Sequence, residues 1–167
     1  MIEFRKITWD NYGDCLKLKV AKEQENFVGS VKSTLAECFI GITNGDKMTP
    51  YAIYANNEVV GFIVYWYYPK SEDADNPEIS VFDNGYLIWR ILFDVKHQGK
   101  GYGKQAVEKV IEEIKTYPFG KADYIYLSYE PENIVSKHLF HSFGFADTDK
   151  KFAEDDDEII ARLEIKK

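Results

Sequence analysis

From Asp94 to Ile114 the chain reads DVKHQGKGYGKQAVEKVIEEI. An apolar stretch ends here, glycine recurs at Gly99, Gly101 and Gly103, and a helical pattern begins. In that pattern Ala106, Val107, Val110, Ile111 and Ile114 form one stripe. A strand that passes through glycines into a helix makes an anion site. The first N–H groups of a helix lack intrahelical partners, and the helix dipole places partial positive charge beside them. Glycine removes the Cβ that would keep an oxygen away. Lys100 and Lys104 add charge. Spacing separates the phosphate motifs. A P-loop would need glycine at 98 and Ser or Thr at 105, where the chain has Gln98 and Gln105. A GxGxxG dinucleotide fingerprint starting at Gly99 would need glycine at 104, which is Lys104. The pattern that fits is Q/R-x-x-G-x-G/A, as Gln98 to Gly103.

Outward from this segment the order of elements is β-α-α-β-β-β-α-β-α-β. Ile2–Thr8 alternates as a half-buried strand, and Asp10–Lys19 reads as a short helix with Tyr12, Cys15, Leu16 and Leu18 inward. Ser30 caps a second helix through Val31, Leu35, Cys38 and Phe39. Asn44–Pro50 is a loop, and Asn56-Asn57 joins two strands as a hairpin. Val59–Tyr68 and Gly85–Val95 read as strands apolar on both faces, separated by the polar loop Pro69–Glu78. Ala122–Glu130 is a strand ended by Pro131, and Asn133–Phe143 a helix closed by Gly144. A short strand is expected near Phe145, and a last one follows the acidic turn Glu154–Glu158. The fold class is α/β: a mixed sheet with helices on its faces.

The 167 residues suit one domain spanning 1–167. A net charge of -7 argues against nucleic acid and suits a cationic partner. The longest apolar run, Val59–Tyr68, is interrupted by Gly61 and is too short for a bilayer, and no signal peptide is evident. Cys15 and Cys38 match no metal or redox spacing and read as reduced thiols of a cytoplasmic protein. The aromatic residues suit either the core or a homodimer interface, so a homodimer is left open. His138 and His141 lack a third ligand by spacing and read as packed or solvated, not metal-binding.

Two segments carry a family resemblance. LFDVKHQGKGYGKQAVEKVIEEI resembles the acetyl-coenzyme A motif of the GNAT superfamily of N-acetyltransferases, and IYLSYEPENIVSKHLFHSFGF resembles that family's second motif, N-x-x-A-x-x-L-Y-x-x-x-GF. The resemblance implies a central mixed sheet in which two parallel strands, Leu87–Val95 and Asp123–Tyr129, splay to admit acetyl-CoA. It implies that the backbone of Ile91, Leu92 and Phe93 meets the pantetheine arm and that N–H groups from Gln98 through Lys104 (Gln98, Gly99, Lys100, Gly101, Tyr102, Gly103, Lys104) hold the pyrophosphate. Asn133, Lys137 and Phe140 complete the implied cofactor set, although Asn133 equally reads as a helix cap.

The implied chemistry is acetyl transfer to an amine. An alkyl ammonium of pKa ~10 must lose a proton before it attacks. A backbone N–H near Phe93 would stabilise the oxyanion. In the family motif a tyrosine donates to the leaving sulfur, but here Phe140 stands in its place. Three outcomes are open: the thiolate leaves unaided, another group substitutes, or the chain binds coenzyme A as a sensor without turnover. Ser136, one turn before Phe140, and Tyr129, at the end of the splayed strand, are the candidate substitutes, with His141 less well placed.

Leu16–Val28 and the segment from Gly85 to Lys104 are similar to bacterial spermidine/spermine N-acetyltransferases, which implies a polyamine or another small diamine as acceptor. Glu23, Glu25, Glu78 and Asp83 are candidate carboxylates, and Trp66, Tyr86 and Trp89 candidate aromatic faces for a polycation. Another small amine, an aminoglycoside or a protein amine are the alternatives.

Overall fold

A computed structural model of the chain describes residues 1–25, 29–73, 80–153 and 156–165. Its strands are β1 (Ile2–Lys6), β2 (Lys47–Ala55), β3 (Glu58–Tyr68), β4 (Gly85–Phe93), β5 (Tyr124–Tyr129), β6 (Ala146–Asp147) and β7 (Ile159–Glu164). The helices are α1 (Tyr12–Leu16), α2 (Val31–Thr43), α3 (Tyr102–Ile114) and α4 (Ile134–Ser142). One sheet runs in the order β1-β2-β3-β4-β5-β7-β6. All its ladders are antiparallel except that between β4 and β5.

Each face of the sheet has its own core. On one side the α3 stripe of Ala106, Val107, Val110, Ile111 and Ile114 packs with Ile63, Tyr65, Tyr86, Ile88, Ile125 and Leu127. Burying each Val or Ile of that stripe contributes about 1.5–3 kcal/mol. Glu113 adds a polar tie, because the hydroxyls of Tyr51 and Tyr65 each donate to its Oε1 at 2.8 Å. On the other side Cys15, Val31, Cys38, Met48, Ala52, Phe62, Val64 and Leu92 pack beneath α1 and α2.

Several expectations need correction. The first helix covers only Tyr12–Leu16, because the Lys19 backbone is bound to the end of β4: Lys19 N–H donates to Asp94 Oδ2 at 3.1 Å and Val95 N–H to the Lys19 carbonyl at 2.7 Å. Tyr12 and Leu16 are exposed, and Phe39 on α2 points outward at 71% exposure, since Thr34 and Gly41 take the inner positions. The loop after α2 ends at Asp46, and β2 already contains Pro50. Proline is tolerated there because β1 pairs with β2 only as far as Tyr51, so no partner on that side needs its missing N–H. The Asn56-Asn57 hairpin is present, both residues with positive φ (51° and 64°), as a type I′ turn requires.

β3 is buried on both faces from Val60 to Tyr65, but β4 only from Gly85 to Ile88. The reason is the parallel ladder. β4 and β5 pair at Gly85↔Tyr124, Tyr86↔Ile125 and Leu87↔Tyr126, and beyond that the strands part. Just past the last pair β4 carries a bulge: Val64 pairs with Arg90 but Tyr65 with Ile88, so Trp89 is the extra residue.

Candidate active site

A cleft of about 550 Å³ opens where β4 and β5 separate. Its walls are Ile91–Phe93 of β4, the Gln98–Gly103 turn, Glu132–Ser136 with Leu139 and Phe140 of α4, and Val20, Glu23 and Gln24 from the connection between α1 and α2.

The glycine turn has the conformation its residues suggest. Gly99 and Gly101 have φ of +73° and +77°, where any side chain is strained, and a Cβ at either would meet nothing within 4 Å. Both glycines therefore leave the backbone open to close approach at the start of α3. Gly61 of β3 serves a second close approach. A Cβ there would lie 2.8 Å from the ring of Phe93, so the glycine lets that ring settle on the sheet beside the cleft.

Strand alternation assigns the β4 backbone. Asp94 N–H donates to Val60 of β3, and Leu92 stands opposite Phe62, so Leu92 also directs its backbone groups at β3. Leu92 lines the cleft but does not offer its main chain to it, which corrects the expectation for that residue. Ile91 and Phe93 point theirs into the gap. The Phe93 carbonyl is already taken by Gln98 Nε2 at 3.0 Å, which leaves the Phe93 N–H and both groups of Ile91. Gln98 thus holds the turn with its side chain: the same Nε2 donates to Gln24 Oε1 at 2.7 Å.

Lys100 is exposed, with its Nζ 3.4 Å from His97 Nδ1; Lys104 is also exposed, and both flank the turn without lining the cleft. Tyr102 lines it, its ring 6.5 Å from that of Phe93. Asn133 caps α4 by accepting from Ser136 N–H at 3.1 Å, which leaves its Nδ2 as the donor on the cleft wall. Ser136 is half-buried on that wall. Phe140 is buried against Tyr129 and Phe145, so the ring that replaces the expected tyrosine is a core residue with one edge on the cleft.

Other expected residues are elsewhere. Tyr129 does not line the cleft: its hydroxyl donates to Asp147 Oδ1 and lies 3.3 Å from His141 Nε2. Burial, followed by the Asp147 contact, raises the Tyr129 phenol well above its usual range. Lys137 turns the same way, with Nζ 3.6 Å from Asp147 Oδ2. Tyr86 is fully buried, its hydroxyl hydrogen-bonded to Gly120 and Phe119, and so cannot present a face to a ligand. Trp89 is half-buried but already engaged: the Arg90 guanidinium lies 4.4 Å from its ring centroid and Trp66 packs edge-on at 5.9 Å. Glu23 is on the cleft wall, whereas Glu25 is exposed outside it. Asp83 Oδ1 accepts from Ser71 N–H at 2.7 Å, fixing a loop near the paired end of β4. Glu78, Glu154 and Asp155 lie outside the described residues.

Sequence reasoning missed Asp94, Gln24, His97, Glu132 and Arg90. Asp94 is buried; burial would raise its carboxyl, but N–H bonds from Lys96 and Lys19 and the charges of Lys96 and His97 outweigh this and hold it below the usual range. Arg90 projects from the bulge toward α2, where burial pulls it below the usual guanidinium value against the opposing charges of Glu37 and Glu158. Its Nε is buried with no hydrogen-bond partner among the described residues. Adjacency to the glycine motif could have flagged His97, but nothing local marks the others.

Comparison with known proteins agrees with this geometry. The sequence pattern of the acetyltransferase (GNAT) family matches residues 4–145. A spermine/spermidine N(1)-acetyltransferase of Bacillus subtilis is 31% identical over 146 residues, covering 86% of this chain and 87% of that protein. Among solved structures, an aminoglycoside acetyltransferase in complex with coenzyme A superposes with a TM-score of 0.71 at 15% identity, covering 99% of this chain and 95% of that one. A spermidine N-acetyltransferase from Vibrio cholerae in complex with coenzyme A and spermine gives 0.66 at 16% identity, covering 98% and 94%.

Proposed function

With the chain a member of the acetyltransferase (GNAT) family, and so an acetyl-CoA-dependent N-acetyltransferase, we propose that its acceptor is a polyamine such as spermidine or spermine, or a similar small diamine. The observation that carries this is the charge at the open end of β5. The Glu130 carboxyl is raised by burial first and then by the negative charges of Glu158, Glu132, Asp156 and Asp157. Five carboxylates around one end of the sheet make a field that concentrates a polycation beside the cleft. The spermine/spermidine enzyme named above supports the same class.

The cofactor roles follow from what the turn and strands leave open. Backbone N–H groups from Gly99 to Gly103 hold the pyrophosphate, with Lys100 and Lys104 as flanking charges. Ile91 and Phe93 meet the pantetheine arm with their free main-chain groups, and Asn133 Nδ2 donates to it. The Phe93 N–H faces the oxygen that becomes anionic as the amine attacks and a tetrahedral intermediate forms. Ser136 replaces the tyrosine missing at Phe140 as the donor nearest the leaving sulfur. Buried, reduced Cys15 and Cys38 suit a cytoplasmic setting.

A thiol-release assay with a panel of amines tests the reading. Spermidine and spermine should show kcat/KM at least ~10-fold above monoamines and aminoglycosides, and the advantage should fall with rising salt as the field is screened. Equal rates for a monoamine and spermidine at low salt would overturn it.

A further inference from the structure

Ser128 Oγ donates a 2.7 Å hydrogen bond to Glu158 Oε1, and both residues are half-buried. Ser128 lies on β5 two positions beyond Tyr126, the last residue paired with β4. On β5 and β7, Leu127, Tyr129 and Ala161 face the α3 side, whereas Tyr126 and Ile160 pack with Leu87 and Trp89 on the opposite face. Alternation places Ser128 and Glu158 on that opposite face. Across the gap the β4 bulge turns Trp89 and Arg90 to the same side. The glycine turn and α4 fill the α3 side of the gap, so a thioester held there is open to attack from the face that carries Ser128 and Glu158.

Resting on the amine-acetylation reading, we propose that Glu158, oriented by the Ser128 hydroxyl, is the general base that takes the proton from the acceptor ammonium. One ammonium N–H breaks as an O–H forms on Glu158. The freed nitrogen lone pair forms the C–N bond to the thioester carbonyl, and the C–S bond breaks with its electrons going to sulfur. A second proton leaves nitrogen and ends on sulfur, and Glu158 returns its own to solvent. Glu158 interacts electrostatically with Arg90 of β4, which Glu37 of α2 also approaches, and with Glu130 after β5, which Glu132, Asp156 and Asp157 also approach. The Ser128 bond occupies one carboxylate oxygen and leaves the other for the amine.

The test compares two acceptors in wild type, Glu158→Gln, Ser128→Ala and Ser128→Thr. One acceptor is spermidine; the other is a fluorinated alkylamine that is neutral at the assay pH and needs no base. Glu158→Gln should lower kcat for spermidine by roughly 10²-fold and flatten the acidic limb of its pH profile. The fluorinated amine should lose less than ~10-fold, and coenzyme A affinity should hold. Ser128→Ala should fall between, with Ser128→Thr restoring most of the loss. Equal losses for both amines, or full retention with spermidine, would overturn the assignment. If wild type acetylates an alkylamine other than spermidine, the polyamine reading fails separately, and that amine enters the same comparison.

Discussion

Gln98 and Gln24, 74 residues apart in sequence, are joined by a hydrogen bond of 2.7 Å that links the glycine turn to the connection between α1 and α2. Because the same Gln98 nitrogen holds the Phe93 carbonyl, one amide couples the glycine turn, the end of β4 and the wall bearing Glu23. Gln98→Ala frees a part-buried carbonyl, a cost of about 1–3 kcal/mol. It should raise KM for acetyl-CoA and for the amine together by ~5- to 50-fold in steady-state kinetics. Gln24→Ala should affect the amine more than the cofactor. A change in one KM alone with Gln98→Ala would show that the coupling does not operate.

Gly101→Val forces a β-branched residue into a left-handed conformation and places methyl groups where the turn is open. Strain alone costs about 1–2 kcal/mol, and blocked N–H groups add to it. Calorimetry should show coenzyme A affinity reduced by at least ~10-fold, while amide exchange in the α3 stripe stays protected. Retention of affinity would remove the turn from the binding site.

On the role proposed for Ser136 as donor to the leaving sulfur, Ser136→Ala should lower kcat by ~10-fold or more, with KM for acetyl-CoA little changed. Phe140→Tyr restores the hydroxyl that the family motif carries and should recover turnover in the Ser136→Ala background. The double variant is the sharper measurement: recovery requires that the two positions address the same atom. No loss in Ser136→Ala would remove Ser136 as the donor to the leaving sulfur.

Asp147 gathers Tyr129 from β5 with His141 and Lys137 from α4, and so braces the helix that walls the cleft. Burial would raise its carboxyl, but the bonds from Tyr129 and His141 and the charges of His141 and Lys137 win, and it sits below the usual aspartate value. Its stabilising contribution is therefore fully present above the unfolded value near ~3.9 and is lost as pH falls through the lower folded value. Urea titrations should find wild type losing stability below about pH 4, with a smaller loss in Asp147→Asn. Parallel curves for the two proteins would exclude Asp147 as a contributor.

What the sequence disclosed and what it hid divide along the range of the interactions. The glycine turn, the α3 stripe, the Asn56-Asn57 hairpin and the capping of α4 by Asn133 were legible because spacing over a few residues determines each of them. The Trp89 bulge, the Asp94–Lys19 tie and the Ser128–Glu158 bond were not, because each depends on which strands become neighbours. Tyr86 and Tyr129 were misjudged for the same reason. The fold buries the Tyr86 ring that read as a face for a ligand, and it supplies Asp147 to receive the Tyr129 hydroxyl that read as a proton donor.

Among the described residues the strand pairing between the β1–β4 half of the sheet and the β5–β7 half is the parallel ladder of three residue pairs, Gly85–Leu87 with Tyr124–Tyr126. With so little main-chain bonding at the seam, the halves are held chiefly by side chains, and the α3 stripe, which packs on strands of both, works as the rivet. Trimming that stripe should therefore loosen the seam itself, not one half alone.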